Sequence, residues 1–402
     1  MVKRHVANPH IREPQRLQSV IVFEVPEDAL PADHPARVLW TALGGFDLSA
    51  FSAEVTSVAG DAGRPQLSPR MMLTLWCFAI SEGVGSARKI ARLIRRDTAY
   101  RWIVGDLTVS HGKLSKFRRE HGAAFDALFT DVVATLMHKG LLSLDLVTQD
   151  GTRTRAAASA PSFRSFGSLL HCREQAALHL KAVLADDTNE HTKAERVRRE
   201  ATARDYQARV EAGATARAST TDVDARVMKM GDGGFRPALN VQYAVAGSGE
   251  GGPRAIVGVM ITNVGSDMGC LTSMIEQIEA RTGETPKTLL ADGGYTRHDD
   301  IVQATQHEVT VLVPPSDRAK SIETLRQEGA PPEVIAWRER METPEAKEQY
   351  RARASLCELT NAHQKEHHGI RQFLVRGIPK ATCVILMGAI TMNFLQFAAR
   401  LS

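Results

Sequence analysis

The stretch "SLDLVTQDGTRTRAAAS", residues 143–159, decides the fold class of this chain. Leu144, Leu146, Thr148 and Asp150 alternate with other residues, and a period of two is typical of a β-strand. The residues upstream repeat their apolar side chains at helical spacing, so the period changes near Leu144. Asp150 is followed by glycine, a pair that favours a turn, and we expect the strand to end there.

Four further strands are predicted downstream of this one. They begin at Leu239 ("LNVQYAVAG"), Ala255 ("AIVGVMITN"), Lys287 ("KTLLAD") and Val309 ("VTVLVPP"). The second and third strands are close enough for a hairpin, whereas residues 271–284 form a helical crossover from the third to the fourth. This order of elements is that of the ribonuclease H fold. We therefore predict an α/β, ribonuclease H-like core with a mixed sheet.

The chain divides into four expected segments. Residues 1–62 form an N-terminal segment, residues 63–140 an α-helical domain, residues 141–376 the core, and residues 377–402 an apolar helix packed on that core. An Ala- and charge-rich stretch, residues 171–220, is interpreted as a helical insertion after the first strand. The N-terminal residues are polar and polar side chains interrupt the C-terminal apolar run, so we expect no signal peptide and no membrane span.

The cysteine content favours a reducing compartment. The chain has five cysteines, an odd number, and they are far apart and form no Cys-x-x-Cys pair. We therefore expect a reduced cytoplasmic protein without a zinc knuckle.

Positive charge is concentrated between residues 88 and 119. This stretch carries ten basic residues and two acidic ones, a local net charge of +8, although the whole chain carries only +4. Such a concentration predicts a polyanion partner, and the interleaved aromatic residues Tyr100, Trp102 and Phe117 favour DNA. The candidate DNA-binding residues here are Arg88, Lys89, Arg92, Arg95, Arg96, Lys116, Arg118 and Arg119.

Two aspartates are candidates for catalysis. Asp150 in "TQDGT" and Asp292 in "LLADGGY" each follow a strand that we expect at the centre of the sheet, so their carboxylates should face each other. Paired carboxylates repel unless protons or cations intervene, and Mg²⁺ accepts such hard oxygen ligands. A two-metal site for phosphodiester chemistry follows from this pairing. For Asp292 alone, a structural turn is the simpler interpretation. Asp145 and Asp267 are interpreted as capping or surface groups.

A third carboxylate is expected on the last helix of the core. Arg351, Glu358 and Lys365 are spaced seven residues apart and would share one helical face. We assign Glu358 to the metal ions, and Arg351 and Lys365 to DNA phosphates. Glu366 lies on another face and is the weaker candidate.

Several stretches together resemble one family. They are "QDGTRTRAAAS", "MKMGDGGFRPALNVQYAV", "LLADGGY" and "YRARASLCELTNAHQK", with "GRPQLSPRMMLTLWCFAISEGVGSARKIARLIRRDTAYRWIVG" upstream. They are similar to the DDE transposases of bacterial insertion sequences, in the branch with a Tyr-Arg-Glu-Lys signature around the third acid. The resemblance covers the chain from about Arg64 to its C-terminus. It implies a metal-binding triad of Asp150, Asp292 and Glu358.

The signature itself would be completed by Tyr350, Arg353 and Lys365, which are candidate DNA-binding residues. The interval from Arg353 to Glu358 is one residue longer than the family's usual interval, so Arg351 and Arg353 both remain candidates for the signature arginine.

The resemblance also implies an activity and partners. We expect a Mg²⁺-dependent enzyme with two ions, for which Mn²⁺ can substitute, that binds terminal inverted repeats, cleaves the ends and joins the 3′ hydroxyl to target DNA. The implied partners are double-stranded DNA and further copies of the chain, in a homodimer or larger synaptic complex associated with the bacterial nucleoid. The alternatives are a ribonuclease H-fold nuclease without strand transfer, and a catalytically inactive, domesticated DNA-binding protein.

Overall fold

A computed structural model describes residues 25–52, 66–105, 107–185, 200–204, 207, 217–247, 252–316 and 320–401. Much of the N-terminal segment 1–62 and most of residues 186–216, within the insertion 171–220, lie outside these residues. The predictions for those parts are therefore not addressed by the structure.

The N-terminal half is α-helical, as its apolar spacing predicts. Its helices are α1 (Pro35–Leu43), α2 (Pro69–Ser81), α3 (Ala87–Leu93), α4 (Thr98–Val104), α5 (His111–Glu120) and α6 (Gly122–His138). The Ser68 side chain accepts a hydrogen bond from the Met71 amide at the start of α2, and Pro69 occupies the first turn. The backbone at His121 leaves the helical region, so residues 111–138 form two helices.

A mixed sheet forms the centre of the second half. The strands are β1 (Leu146–Arg155), β2 (Phe163–Ser165), β3 (Arg217–Ser219), β4 (Arg226–Lys229), β5 (Phe235–Gly247), β6 (Arg254–Thr262), β7 (Thr288–Leu290) and β8 (Thr310–Leu312). Across the main sheet the order is β6, β5, β1, β7, β8, and β4 pairs with the first residues of β5 beside β6. Pairs β6–β5 and β5–β1 are antiparallel, whereas β1–β7 and β7–β8 are parallel. All five predicted strands are present; β2, β3 and β4 were not predicted.

The first strand is longer than its sequence predicts. β1 was expected to end at Asp150 but continues to Arg155, because β5 pairs with it as far as Arg155↔Ala238. The parallel pairing with β7 stops earlier, at Thr148↔Leu290. Asp150 therefore lies inside β1, just beyond the point where its parallel neighbour ends.

Helices cover the sheet and connect its strands. They are α7 (Phe166–Ala185), α8 (Leu271–Thr282), α9 (His298–Gln306), α10 (Ile322–Gln327), α11 (Pro332–Glu342), α12 (Pro344–Tyr350), a π-helix (Ala354–Glu358), α13 (Leu359–Glu366) and α14 (Ile378–Leu401). The crossover α8 agrees with the predicted helix. The helix that opens the insertion, α7, begins at Phe166, ahead of the expected boundary.

The C-terminal helix α14 is a core helix. It packs against α1, α2, α6 and β6, and one continuous hydrophobic cluster extends from the N-terminal helices through α14 to the sheet. Among the described helices, α14 alone is long and apolar enough to span a membrane, yet 72% of its most apolar window is buried in the fold. The division of the chain into four segments, with a boundary near residue 140 and residues 377–402 as the last, remains a prediction.

The outer edge of β6 is covered by two side-chain amides. The Asn393 amide of α14 accepts a hydrogen bond from the Ile256 N–H and donates one to its C=O, each at 2.8 Å. The Gln277 amide of α8 pairs in the same way with Val259, at 2.8 and 2.9 Å. Buried backbone groups need hydrogen-bond partners, and unpaired strand edges invite aggregation. The need to pair the edge of β6 therefore explains why these two polar residues lie on otherwise apolar faces of α14 and α8.

Candidate active site

Asp292 lies two residues after the end of β7 and directly before a short 3₁₀ turn formed by Gly293, Gly294 and Tyr295. The Asp292 carboxylate caps this turn by accepting a hydrogen bond from the Gly294 amide at 2.8 Å. Its side chain is nevertheless 42% exposed. The Asp-Gly-Gly sequence therefore makes a tight turn and also leaves a carboxylate open at the end of the strand.

Asp150 is the more enclosed aspartate, with a side chain that is 14% exposed. Burial raises its pKa to about 6; the positive charge of Arg353 opposes this rise, and the negative charge of Asp292 adds to it. The Asn361 amide of α13 donates a hydrogen bond to Asp150 Oδ2 at 2.9 Å. The two aspartates are thus close enough for their charges to interact.

Arg353 is the cation that joins the three candidate acids. Its Nη2 lies 3.4 Å from Asp150 Oδ1 and 3.9 Å from Asp292 Oδ2, and its Nη1 lies 3.1 Å from Glu358 Oε1. The Arg353 side chain is only 13% exposed, whereas Glu358 is 60% exposed. The three carboxylates come from β1, from the turn after β7 and from the π-helix, and they converge on one guanidinium.

The π-helix explains why Arg353 and Glu358 meet. They are five residues apart, whereas residues four apart share a face of a regular α-helix. A π-helical turn contains one extra residue and is a frequent feature of functional sites. The π-helix spans Ala354–Glu358, so the extra residue in this interval is taken up within the turn itself.

Arg351 does not join this group of charges. It was expected to share a face with Glu358 and Lys365, but that prediction assumed an uninterrupted α-helix and is wrong for Arg351. Its side chain is 76% exposed and pairs with Glu348 at 2.6 Å. Of the two candidate arginines, Arg353 is the one beside the acids.

Lys365 and Tyr350 border the acidic cluster. Burial lowers the pKa of Lys365, and the nearby Asp150 carboxylate opposes this effect. Burial raises the pKa of Tyr350, and the charge of Arg353 opposes that rise. Both side chains are half-buried, and their charged neighbours place them at the rim of the site.

The donor atoms of this cluster suit a hard divalent cation. Carboxylate and amide oxygens are the ligands that Mg²⁺ prefers, and the buried Asn361 Oδ1 beside Asp150 has no hydrogen-bond partner among the described residues. In the described part of the chain, however, no three Asp, Glu, His or Cys side chains are close enough together to share one ion. Arg353 occupies the centre of the three carboxylates. The residues fit a metal chemically, once Arg353 has moved away.

A buried polar network lies beneath the two aspartates. Asp267 accepts hydrogen bonds from Asn240 Nδ2 at 2.7 Å and Gln242 Nε2 at 2.6 Å, and it pairs with Arg153 Nη2 at 3.0 Å. Tyr295, in the turn that holds Asp292, donates its hydroxyl to Gln242 Oε1. Asp267 was interpreted as a capping or surface group, but it is 8% exposed and is the hub of this network.

The sequence carries a signal for this network in β5. Asn240 and Gln242 are two residues apart in β5 and so point to the same face of the sheet, where apolar residues would be expected in a buried strand. Asp145, by contrast, is exposed and pairs with Lys287 at 2.6 Å, which confirms its interpretation as a surface group.

Exposed basic residues lie on α3, on α5 and directly after α3. Helices α3 and α5 pack against each other, and the exposed basic side chains on this surface are Arg88, Lys89, Arg92, Arg95, Arg96, Lys116 and Arg119. We refer to these seven residues as the basic surface. The structure thus gathers most of the candidate DNA-binding residues on the N-terminal helices.

Arg118 and two aromatic residues do not belong to the basic surface. Arg118 was expected to contact DNA, but it is 5% exposed, donates to the Gly85 carbonyl at 2.6 Å and lies over the Trp76 ring. Tyr100 and Phe117 are also buried, so neither can stack on a base. These three side chains are buried because they lie on the faces of α4 and α5 that pack against the core.

Comparisons with known families identify two regions. Residues 24–120 match the transposase domain (DUF772), and residues 317–398 match the transposase DDE domain. The second region contains Arg353, Glu358 and Lys365, whereas Asp150 and Asp292 lie outside both regions. No curated protein and no solved structure was found to match the chain. The two matched regions support a DDE transposase of insertion-sequence type.

Proposed function

We propose that this protein binds the ends of its insertion sequence, cleaves them and joins the freed 3′ hydroxyl to target DNA, with Asp150, Asp292 and Glu358 as the metal-binding acids. The convergence of these three carboxylates on Arg353 is the observation that carries the proposal. The family acts on DNA and generally uses divalent metal ions. The three acids supply the oxygen ligands that such ions require.

The strand order supports a ribonuclease H-like core. Strands β6, β5, β1, β7 and β8 follow one another across the sheet, and only β5 runs against its neighbours β6 and β1. The parallel pairing of β1 with β7 brings Asp150 and Asp292 to the same end of the sheet, beyond the last paired residues. The helices after β8 bring Glu358 to the same place. The interruption after β1 fits the predicted insertion.

Each residue of the proposed site has a separate part in the reaction. Mg²⁺ ions bound there would lower the pKa of the attacking water or hydroxyl and stabilise the leaving oxygen. Asn361 holds Asp150 in one orientation, while the exposed Asp292 and Glu358 remain open to the DNA backbone. Arg353 lies within 4 Å of all three acids, and the Asp150 carboxylate influences Lys365, so both cations suit the scissile phosphate.

An end-joining reaction tests strand transfer directly. Labelled duplexes from the boundaries of the insertion sequence, incubated with supercoiled target DNA and Mg²⁺ or Mn²⁺, are expected to yield labelled joined product. Gel electrophoresis separates joined product from nicked substrate. Nicking without joined product would favour a ribonuclease H-fold nuclease, and binding without cleavage would favour a domesticated DNA-binding protein.

The basic surface is proposed to contact the backbone of the terminal DNA. Each phosphate contact contributes about −0.9 to the slope of log affinity against log salt concentration on duplex DNA. A double variant, Arg95→Gln with Arg96→Gln, is therefore expected to flatten that slope by between about 1 and 2, measured by fluorescence anisotropy with terminal duplex.

A control for this measurement lies far along the chain. Arg326 is exposed and pairs with Glu339, and an Arg326→Gln variant is expected to keep the wild-type slope. Equal slopes for the wild-type protein and the double variant would indicate that DNA contacts another part of the protein. Assembly into a dimeric or larger synaptic complex remains part of the proposal.

A further inference from the structure

The guanidinium of Arg353 occupies the position in which the proposed site would hold a cation. It contacts an oxygen of each of the three acids, at 3.4 Å for Asp150, 3.9 Å for Asp292 and 3.1 Å for Glu358. A hydrogen-bonded side chain that is 13% exposed leaves little room for a second cation at the same oxygens. Arg353 and a metal ion therefore compete for the same carboxylates.

The arrangement of the acids agrees with this competition. Within the part of the chain that the structure describes, no three candidate ligand side chains lie close enough to share an ion. The carboxylates surround the planar guanidinium, which is wider than a metal ion. Closing them around a metal requires Arg353 to leave the centre of the site.

A DNA phosphate is the group best able to draw Arg353 away. Arginine binds phosphate oxygens through two parallel hydrogen bonds, and a phosphate beside the acids would lie within reach of the same side chain. The Arg353 Nε is buried without a hydrogen-bond partner among the described residues, so the present position leaves one of its donors unused. The π-helix begins directly after Arg353, where the regular hydrogen-bond ladder is already interrupted.

We propose that Arg353 couples DNA binding to metal binding: in free protein it neutralises Asp150, Asp292 and Glu358, and a DNA phosphate releases it so that the acids can bind divalent ions. Such coupling is reciprocal, so metal raises the affinity for DNA by the same factor as DNA raises the affinity for metal. The consequence is that the protein holds metal weakly until its substrate is in place. This inference rests on the proposed metal site.

Metal binding without catalysis tests the coupling. The affinity of the full-length protein for Mn²⁺ is measured by isothermal titration calorimetry, with and without a short duplex at low salt. In the absence of DNA, Arg353→Gln is expected to bind Mn²⁺ about tenfold more tightly than wild type, within the range usual for linked sites. Adding duplex is expected to tighten binding in wild type and to change the affinity of the variant little.

Two further variants separate the guanidinium's position from its charge. Arg351→Gln removes one positive charge two residues away, from an exposed side chain paired with Glu348, and its Mn²⁺ affinity should stay within about twofold of wild type. Arg353→Lys keeps the charge but lacks the fork that spans three carboxylates, and an intermediate affinity is expected. Circular dichroism checks that each variant is folded.

The outcomes distinguish the coupling from the site on which it rests. Equal Mn²⁺ affinity in wild type and Arg353→Gln, with binding abolished by Asp150→Asn, would overturn the coupling and leave the metal site standing. Equal gains in Mn²⁺ affinity for Arg353→Gln and Arg351→Gln would show that the effect comes from net charge alone, and would also overturn the coupling. A folded Arg353→Gln protein that binds no Mn²⁺ with or without duplex would overturn the metal site, and the coupling with it.

Discussion

A Glu358→Gln variant is expected to cleave DNA strands roughly 10³-fold more slowly than wild type. Removing one group that stabilises charge in the transition state lowers kcat by about this factor. Glutamine has the shape of glutamate but not its negative charge, so it can still accept the hydrogen bond from Arg353 Nη1. Because Glu358 is 60% exposed and pairs only with Arg353 among the described residues, the substitution should leave the fold intact. Cleavage is measured on labelled terminal duplex with Mg²⁺.

The matched control is Glu366→Gln in the same helical segment. Glu366 is half exposed and pairs with Arg371, away from the acidic cluster. We expect its cleavage rate to stay within about twofold of wild type, and terminal DNA binding by both variants to be retained. Full cleavage by Glu358→Gln, or an equal loss in Glu366→Gln, would remove Glu358 from the proposed triad.

A Gly151→Ala variant is expected to lower the free energy of unfolding by about 2 to 3 kcal/mol, the cost of forcing an extra carbon into a packed site and disturbing its hydrogen bonds. A Cβ at Gly151 would lie 2.9 Å from Asp267 Cγ and still closer to Asp267 Oδ1 and Gln242 Nε2. Those atoms are buried and hydrogen-bonded to each other, so they cannot move aside freely. Since Asp150 is the preceding residue, cleavage should fall as well.

Urea denaturation followed by circular dichroism measures this change. Gly231, in the turn between β4 and β5, provides the control, because a Cβ there would meet no atom within 4 Å. We expect Gly231→Ala to change the free energy of unfolding by less than about 0.5 kcal/mol. A Gly151→Ala protein as stable as Gly231→Ala would show that the network beneath Asp150 can rearrange at little cost.

The local period of the sequence predicted most of the elements but not all of their ends. Alternating residues indicated the strand at Leu144, and the following Gly151 indicated a stop at Asp150. The strand continues to Arg155 because β5 remains paired with it, and that pairing joins residues far apart in the chain. The turn preference of one Asp-Gly pair is outweighed by a continuous ladder of hydrogen bonds between two strands.

The basic stretch shows a similar limit. Its composition predicted a polyanion-binding surface, and seven of the eight candidate residues are exposed. Arg118 is the exception, because its side chain turns inward to the Gly85 carbonyl and Trp76. Composition counts charges, whereas helix packing decides which of them face solvent.

Strand period is a local property, so the sequence predicted the order of the strands and placed Asp150 and Asp292 on two of them. The class of the protein and the third acid, Glu358, came from the resemblance of its motifs to one family. Which arginine lies among those acids depends on the path of the folded backbone. A π-helix adds one residue to a turn without any composition that marks it, so the face shared by Arg353 and Glu358 follows from the backbone path. The hub at Asp267 likewise required β1, β5 and the turn after β7 to meet, and distant segments meet only when the chain folds.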